Sequence, residues 1–356
     1  MSAPLITVLM AVYNGEKCLD HTIESILSQT FTDFEFLIIN DCSTDRTADV
    51  IRSYNDARIR LHSNETNIGQ TKSLNVGLNL AKGKYIARMD ADDYSMPNRL
   101  ERQYHYITQH PEYSVVGTDC LVMDESNAKR SISKGYFKYE DIIIKLLTGS
   151  PINHVSVLMN RADIVRIGAY DPKYKISADF DLWSRLIRQG YKITTLREVL
   201  CAYRVSEGSY SNRNEARKVK ENTDIIFENI RYISNYVVNR ESVKQLICRF
   251  SDEFVNMSDQ EILKAERVYR NIITNLKSEL RMKIEKSRIK KILLTNYLIA
   301  AYHYILNKKS RNARDIIRLC IRNHGVTLYS LATYSLTYLN IGTIKKLNYL
   351  RAKFIL

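Results

Sequence analysis

Four short apolar runs, each followed by a turn and a helical pattern, constrain this chain more than any other feature. Leu5–Val12 (LITVLMAV) is continuous and apolar, as a strand buried on both faces is, and it stops at Tyr13-Asn14-Gly15. Glu16–Gln29 then places Leu19, Ile23, Ile26 and Leu27 at helical spacing. Phe34–Ile39 is the second run, closed by Asn40-Asp41, and Ser43 and Thr44 offer N-caps for a helix over Arg46–Tyr54. Ile59–Leu61 is the third. Asn67-Ile68-Gly69 turns into a helix over Thr71–Ala81, and Lys84–Met89 is the fourth run. This alternation predicts a parallel α/β sheet.

Ligands of such sheets bind beyond the carboxyl ends of the strands. Three of those ends are polar here: Tyr13-Asn14, Asn40-Asp41 and Asp90-Ala91-Asp92. The last belongs to a cluster, Asp90, Asp92 and Asp93, whose mutual repulsion needs an offset. A hard Mg²⁺ or Mn²⁺ ion supplies one, since it prefers oxygen ligands and bridges to phosphate. The spacing alone equally describes a solvated acidic turn. Convergence of a ring, a carboxylate acceptor and a metal-binding pair on one crevice suits a nucleotide diphosphate.

V-L-M-A-V-Y-N-G, I-I-N-D-C-S-T-D-R-T, N-I-G-Q-T-K-S-L-N and G-K-Y-I-A-R-M-D-A-D-D, in that order, resemble family 2 glycosyltransferases with the GT-A fold. P-N-R-L-E-R-Q (Pro97–Gln103) matches members that build bacterial surface polysaccharides. The resemblance covers roughly residues 4–210. It implies a Rossmann-like, mostly parallel α/β sheet flanked by helices. It also implies an inverting, metal-dependent transfer from a nucleotide sugar, with UDP as the nucleotide, to a saccharide or lipid-linked saccharide hydroxyl. Carried onto this chain, Tyr13 and the backbone near Val12 pack on the base, and Asp41 accepts from uracil N–H. Asp90 binds ribose or the metal-linked phosphates, and Asp92 ligates Mn²⁺ or Mg²⁺. Leu74 stands where many members carry an Arg, so Arg88, or else Lys72, would supply charge to the pyrophosphate. Arg88 equally reads as an internal ion pair.

Farther along, Ser114–Asp124 alternates as a strand on the acceptor side, and Lys129–Phe137, polar with Gly135, reads as a mobile loop. Asn153-His154 leads into a strand at Val155–Met159. His154 would touch the donor, or pack as an ordinary satisfied histidine. Asp179, in I-S-A-D-F-D-L-W-S-R-L, opens a helix whose dipole favours the anion. The family pattern E-D-x-x-L-W implies that Asp179 is the general base, with Asp181 as second candidate and Ala178 replacing the acidic residue. A plain helix cap is the other reading of Asp179. Trp183, the only Trp, would stack on acceptor sugar or fill the core. Asp93 and Arg204 complete the candidate donor and acceptor contacts. Arg204-Val205-Ser206 keeps the Arg of a family Arg-x-His and lacks its His.

Charge divides the chain. Residues 1–209 hold 25 Lys/Arg against 26 Asp/Glu, and residues 210–356 hold 28 against 13, so −1 and +15. The division predicts a GT-A domain over 1–211 and a basic helical region over 212–356. Basic amphipathic segments around Lys283–Lys291 and Lys345–Lys353 suit an anionic membrane surface or a solvated helical bundle. No nucleic-acid reader pattern appears. Six scattered cysteines, no signal-peptide pattern and no long apolar span lead to the expectation of a cytoplasmic enzyme, peripheral on the inner face of the membrane. A nucleotidyltransferase is the rival enzyme, but A-V-Y-N-G is poor in the glycine its triphosphate loop needs. A nucleotide-sugar-binding protein without transfer activity is the rival outside catalysis.

Overall fold

The computed structural model describes residues 3–126, 128–205, 213–248 and 258–278. The chain divides into two compact units, Met1–Asn229 and Ile230–Leu356.

The first unit is built on one sheet with helices on its flanks. Its strands are β1 (Ile6–Val12), β2 (Phe34–Asn40), β3 (Ile59–Ser63), β4 (Tyr85–Met89), β5 (Tyr94–Ser95), β6 (Tyr113–Met123), β7 (Lys129–Ser133), β8 (Leu158–Asn160) and β9 (Lys192–Arg204). Its helices are α1 (Leu19–Leu27), α2 (Thr47–Ser53), α3 (Gln70–Leu80), α4 (Arg99–Gln109), α5 (Tyr139–Lys145), α6 (Arg161–Arg166) and α7 (Ala178–Arg188). The strand order is β3-β2-β1-β4-β8-β6-β9-β5, with β7 beside β6. β3, β2, β1 and β4 are mutually parallel, and β6 runs parallel to β9. The order reverses between β1 and β4, which places the crevice of this α/β sheet at their carboxyl ends.

Every residue of β1, β2 and β4 is buried, as their mostly apolar sequences favour, and the buried Glu35 and Arg88 are each paired with an opposite charge. Helix α1 turns Leu19, Ile23 and Ile26 into the same core. Helix α3 lies so close to β1 that a Cβ on Gly77 would fall 2.2 Å from Leu9 Cδ1. The run Pro97–Gln103 proves to be a strut. Arg99, fully buried, donates from Nη2 to the carbonyls of Arg88 (2.9 Å) and Val157 (3.2 Å). Gln103 Nε2 reaches the carbonyls of Val116 and Ser156. These bonds fix β4 against its neighbours just before the acidic cluster.

Three local expectations change. Lys129–Ser133, read as loop, is a strand paired antiparallel to β6. An edge strand needs only its partner's backbone, and exposed polar side chains suit that position. The segment before Leu158 begins with a single tight turn, His154–Ser156, so the expected strand shortens to β8. Ser43 and Thr44 do not cap α2. Ser43 Oγ accepts from Asn14 N at 3.0 Å and Thr44 N donates to Asn14 Oδ1 at 2.8 Å, so they bind the β1 loop to the β2 loop.

Helix α8 spans Glu215–Ile233. In the second unit α9 (Arg240–Cys248) and α10 (Asp259–Thr274) pack together, and Ser258 with Glu261 forms a capping box on α10. Lys283–Lys291 and Lys345–Lys353 lie outside the described residues. No helix among the described residues is long and apolar enough to cross a membrane.

Candidate active site

The polar strand ends do meet. Val12 is buried, its carbonyl accepting from Asp41 N at 2.8 Å, while Tyr13 beyond it is half exposed. Asn14 and Cys42 both adopt positive φ, 53° and 59°, which turns the two loops toward each other. Asp41 is buried and heavily engaged. Its Oδ1 accepts from Asn64 Nδ2 (2.8 Å) and Ile68 N (2.9 Å), and its Oδ2 from Gly69 N (2.8 Å). That carboxylate therefore fixes the loop that starts α3, where Gly69 needs φ +86°.

Asp90 follows β4 and stands partly open. Its Oδ1 receives Arg88 Nη2 at 2.5 Å and Gln70 Nε2 at 3.1 Å. The Arg88 side chain is fully buried, and its Nε and Nη1 have no hydrogen-bond partner among the described residues. Asp92 is exposed and lies between Asp90 and the buried Asp93. Desolvation there, and then the Asp90 charge, raise its pKa. Asp93 lies deeper, with its Oδ1 accepting from Arg204 N at 3.0 Å. Burial, then Asp90 and Asp92, push its pKa well above the usual carboxylate range.

The second wall carries Asp179 in the first turn of α7. Ser150 Oγ donates to its Oδ2 at 3.2 Å. Burial pushes its pKa up to about 6 against the opposing hydrogen bonds, and the Asp90 charge adds to the rise. Asp90 and Asp179 thus feel each other across the site. His154 Nε2 and the Tyr170 hydroxyl share a hydrogen bond of 2.7 Å. Burial, then the Arg88 charge, hold the His154 pKa well below its ordinary value, so the ring is neutral.

Helix α3 ties these parts together. Gln70 reaches Asp90, Thr71 Oγ1 donates to Tyr174 O (3.0 Å), and Asn75 exchanges two bonds with the Tyr170 backbone.

Comparison with known proteins decides the class. A family model described as "Glycosyl transferase family 2" matches residues 7–166. EpsE of Bacillus subtilis (strain 168), named as a glycosyltransferase, is 33% identical over 235 residues, 65% of this chain and 83% of its own. The chain belongs to glycosyl transferase family 2. It is a glycosyltransferase. WfaP of Escherichia coli, a "UDP-Glc:alpha-D-GlcNAc-diphosphoundecaprenol beta-1,3-glucosyltransferase", is 30% identical over 230 residues, 61% of this chain and 82% of its own. Among solved structures, S. aureus TarS 1–349 in complex with UDP-GlcNAc superposes with a TM-score of 0.57 at 19% identity, over 91% of this chain and 93% of that one. The shared fold is GT-A.

The glycosyltransferase site differs in places from its sequence reading. Arg88 has no exposed side-chain surface and ion-pairs with Asp90, the second of its two sequence readings. Lys72 is exposed, and Leu74 is core. Asp181 is buried in an ion pair with Arg185 Nε at 2.7 Å, which removes it as an alternative base. Trp183 is fully buried, its ring centroid 6.1 Å from that of His154, and offers no face to a sugar. Arg204 places Nη1 at 3.0 Å from Cys18 Sγ, and its charge lowers the Asp92 pKa against the desolvation that raises it. Gln70, Ser150 and Tyr170 are site residues that no sequence pattern singled out. Their one signal is polarity in a turn or at a helix start.

Proposed function

We propose that this glycosyltransferase transfers a sugar, with inversion, from a nucleoside-diphosphate sugar, a UDP-sugar in the first instance, to a hydroxyl of a saccharide or lipid-linked saccharide. The observation that carries the reading is that carboxylates from two separate elements, the end of β4 and the start of α7, are near enough for one charge to act on the other. Asp90 and Asp92 stand at the end of β4, and a half-buried Asp179 whose pKa responds to Asp90 stands in the first turn of α7. WfaP, by its name, transfers glucose from UDP-glucose to a diphosphoundecaprenol-linked GlcNAc, which supports both substrate classes. Such acceptors belong to polysaccharide assembly.

The donor set suits Mn²⁺ or Mg²⁺. Among the described residues no three His, Cys, Asp or Glu side chains form a closed metal site. Asp90 Oδ2 and Asp92 are hard oxygen ligands open to a ligand, and Mg²⁺ is commonly held by one or two carboxylates plus substrate phosphate. Bound there, the cation supplies Lewis-acid stabilisation of the departing diphosphate. Tyr13 and the Val12 backbone offer a surface for the base. Asp41 holds the loop beneath it and keeps one lone pair on Oδ2 for a base N–H. Asp179, ionised above pH 6, takes the proton from the attacking hydroxyl. Neutral His154 and Tyr170 hold the wall between the two carboxylate groups without adding charge.

We place the transfer in residues 1–211 and assign the basic region, +15 over 210–356, to holding the enzyme at an anionic leaflet on the cytoplasmic side. Sedimentation with anionic vesicles at low and high salt tests that assignment; equal pelleting at both, or none, removes it. A thermal-shift panel of nucleotide sugars with and without Mn²⁺ tests the donor. Stabilisation by UDP-sugars only with the metal supports the reading. No shift with any nucleotide sugar overturns it.

A further inference from the structure

Both hydrogen bonds to the Asp90 carboxylate land on a single oxygen. Arg88 Nη2 at 2.5 Å and Gln70 Nε2 at 3.1 Å share Oδ1, while Oδ2 has no partner among the described residues. We propose that Arg88 and Gln70 are positioning residues that clamp Oδ1 and so present Oδ2 of Asp90, alone, to the donor-bound cation. The inference rests on the donor-site reading above and deepens it.

The two clamping groups come from opposite environments, which suits a fixed orientation. Arg88 sits on β4, its backbone locked by Arg88 N to Val157 O (3.0 Å) and by Arg99 Nη2 to Arg88 O (2.9 Å). A buried guanidinium with one partner cannot trade that partner for water. Gln70 is exposed, but it opens α3, and the loop before it is held by three donors on Asp41. The carboxyl plane of Asp90 is thus set by two elements that do not depend on each other. A carboxylate held this way ligates through one oxygen. It also arrives pre-oriented, so less ordering remains when the ligand binds.

The arrangement gives Asp41 a second consequence. Its bonds to Ile68 N and Gly69 N determine where Gln70 begins, so the base-side carboxylate and the phosphate-side carboxylate are joined through one helix start.

The test is titration calorimetry of UDP into the full-length protein with and without Mn²⁺, for wild type, Gln70→Leu and Asp90→Asn. Gln70 is exposed, so Gln70→Leu leaves the fold intact, which circular dichroism checks. Gln70→Leu is expected to weaken Mn²⁺-dependent UDP binding about tenfold while leaving metal-free binding unchanged. In Asp90→Asn the two donors fix the amide oxygen at the Oδ1 position and turn the NH₂ toward the cation, so the Mn²⁺ dependence is lost. Wild-type Mn²⁺ dependence in Gln70→Leu overturns the clamp and leaves the donor site standing, whereas wild-type Mn²⁺ dependence in Asp90→Asn removes Asp90 as a ligand and overturns both. A wild-type chain that binds no UDP with Mn²⁺ overturns both.

Discussion

Ser150 Oγ donates to Asp179 Oδ2 at 3.2 Å, and among the described residues it is the one side chain that hydrogen-bonds to that carboxylate. Burial raises the pKa of Asp179 to about 6, and this bond opposes the rise. Ser150→Ala should therefore push it higher. A pH profile of kcat/KM is expected to rise tenfold per unit below about pH 6 and level above it. In Ser150→Ala the acid limb should move to higher pH by less than about one unit, with the plateau little changed. An unmoved limb would mean that Asp179 is not the titrating base.

Asp179→Asn separates activity from stability. Transfer should fall by about 10²–10⁴. The folded pKa of about 6 lies above the ordinary 3.8, so between these values the folded state keeps a proton that the unfolded state has released. Stability from this group is present below about pH 4 and is lost as pH rises through about 6. Asn, being neutral throughout, should raise Tm by a few degrees at pH 7.5 and by almost nothing at pH 4. Differential scanning calorimetry at the two pH values reads this directly.

Much of this was legible in the sequence, and the reason is local. β1, β2 and β4 read correctly because strands buried on both faces are predominantly apolar, with their few polar members, such as Glu35 and Arg88, paired internally. Asp90, Asp92 and Asp179 stand out because they interrupt or follow such patterns. Gln70–Asp90, Ser150–Asp179 and His154–Tyr170 are pairs 20, 29 and 16 residues apart, whose contact exists only once the sheet has formed. Arg88 shows the limit most clearly. An Arg beside an acidic cluster reads equally as a phosphate ligand and as an internal ion pair, and only the fold shows the fully buried side chain paired with its own carboxylate.

Tyr170→Phe should cost stability more than it costs chemistry. The hydroxyl pairs with His154 Nε2 at 2.7 Å, and its loss strands a ring nitrogen in a buried setting. The expected cost is about 1–3 kcal/mol by urea denaturation. UDP affinity should stay near the wild-type value.

Arg99→Leu tests the strut beneath β4. It deprives the carbonyls of Arg88 and Val157 of a shared donor and leaves Gln103 Oε1 without its Arg99 Nε contact of 3.0 Å. A loss of about 3 kcal/mol or more is expected, seen as a lower urea midpoint with unchanged slope.

The central claim is that Asp90 and Asp92 serve the leaving diphosphate while Asp179 serves the acceptor. Mass-spectrometric measurement of UDP release from a UDP-sugar panel in Mn²⁺, with and without saccharide acceptors, tests it with wild type, Asp92→Ala and Asp179→Asn side by side. The account predicts acceptor-dependent release by wild type, no release by Asp92→Ala, and no acceptor-dependent release by an Asp179→Asn protein that still binds UDP. Wild-type release rates from Asp92→Ala in Mn²⁺, or undiminished transfer by Asp179→Asn, would contradict it.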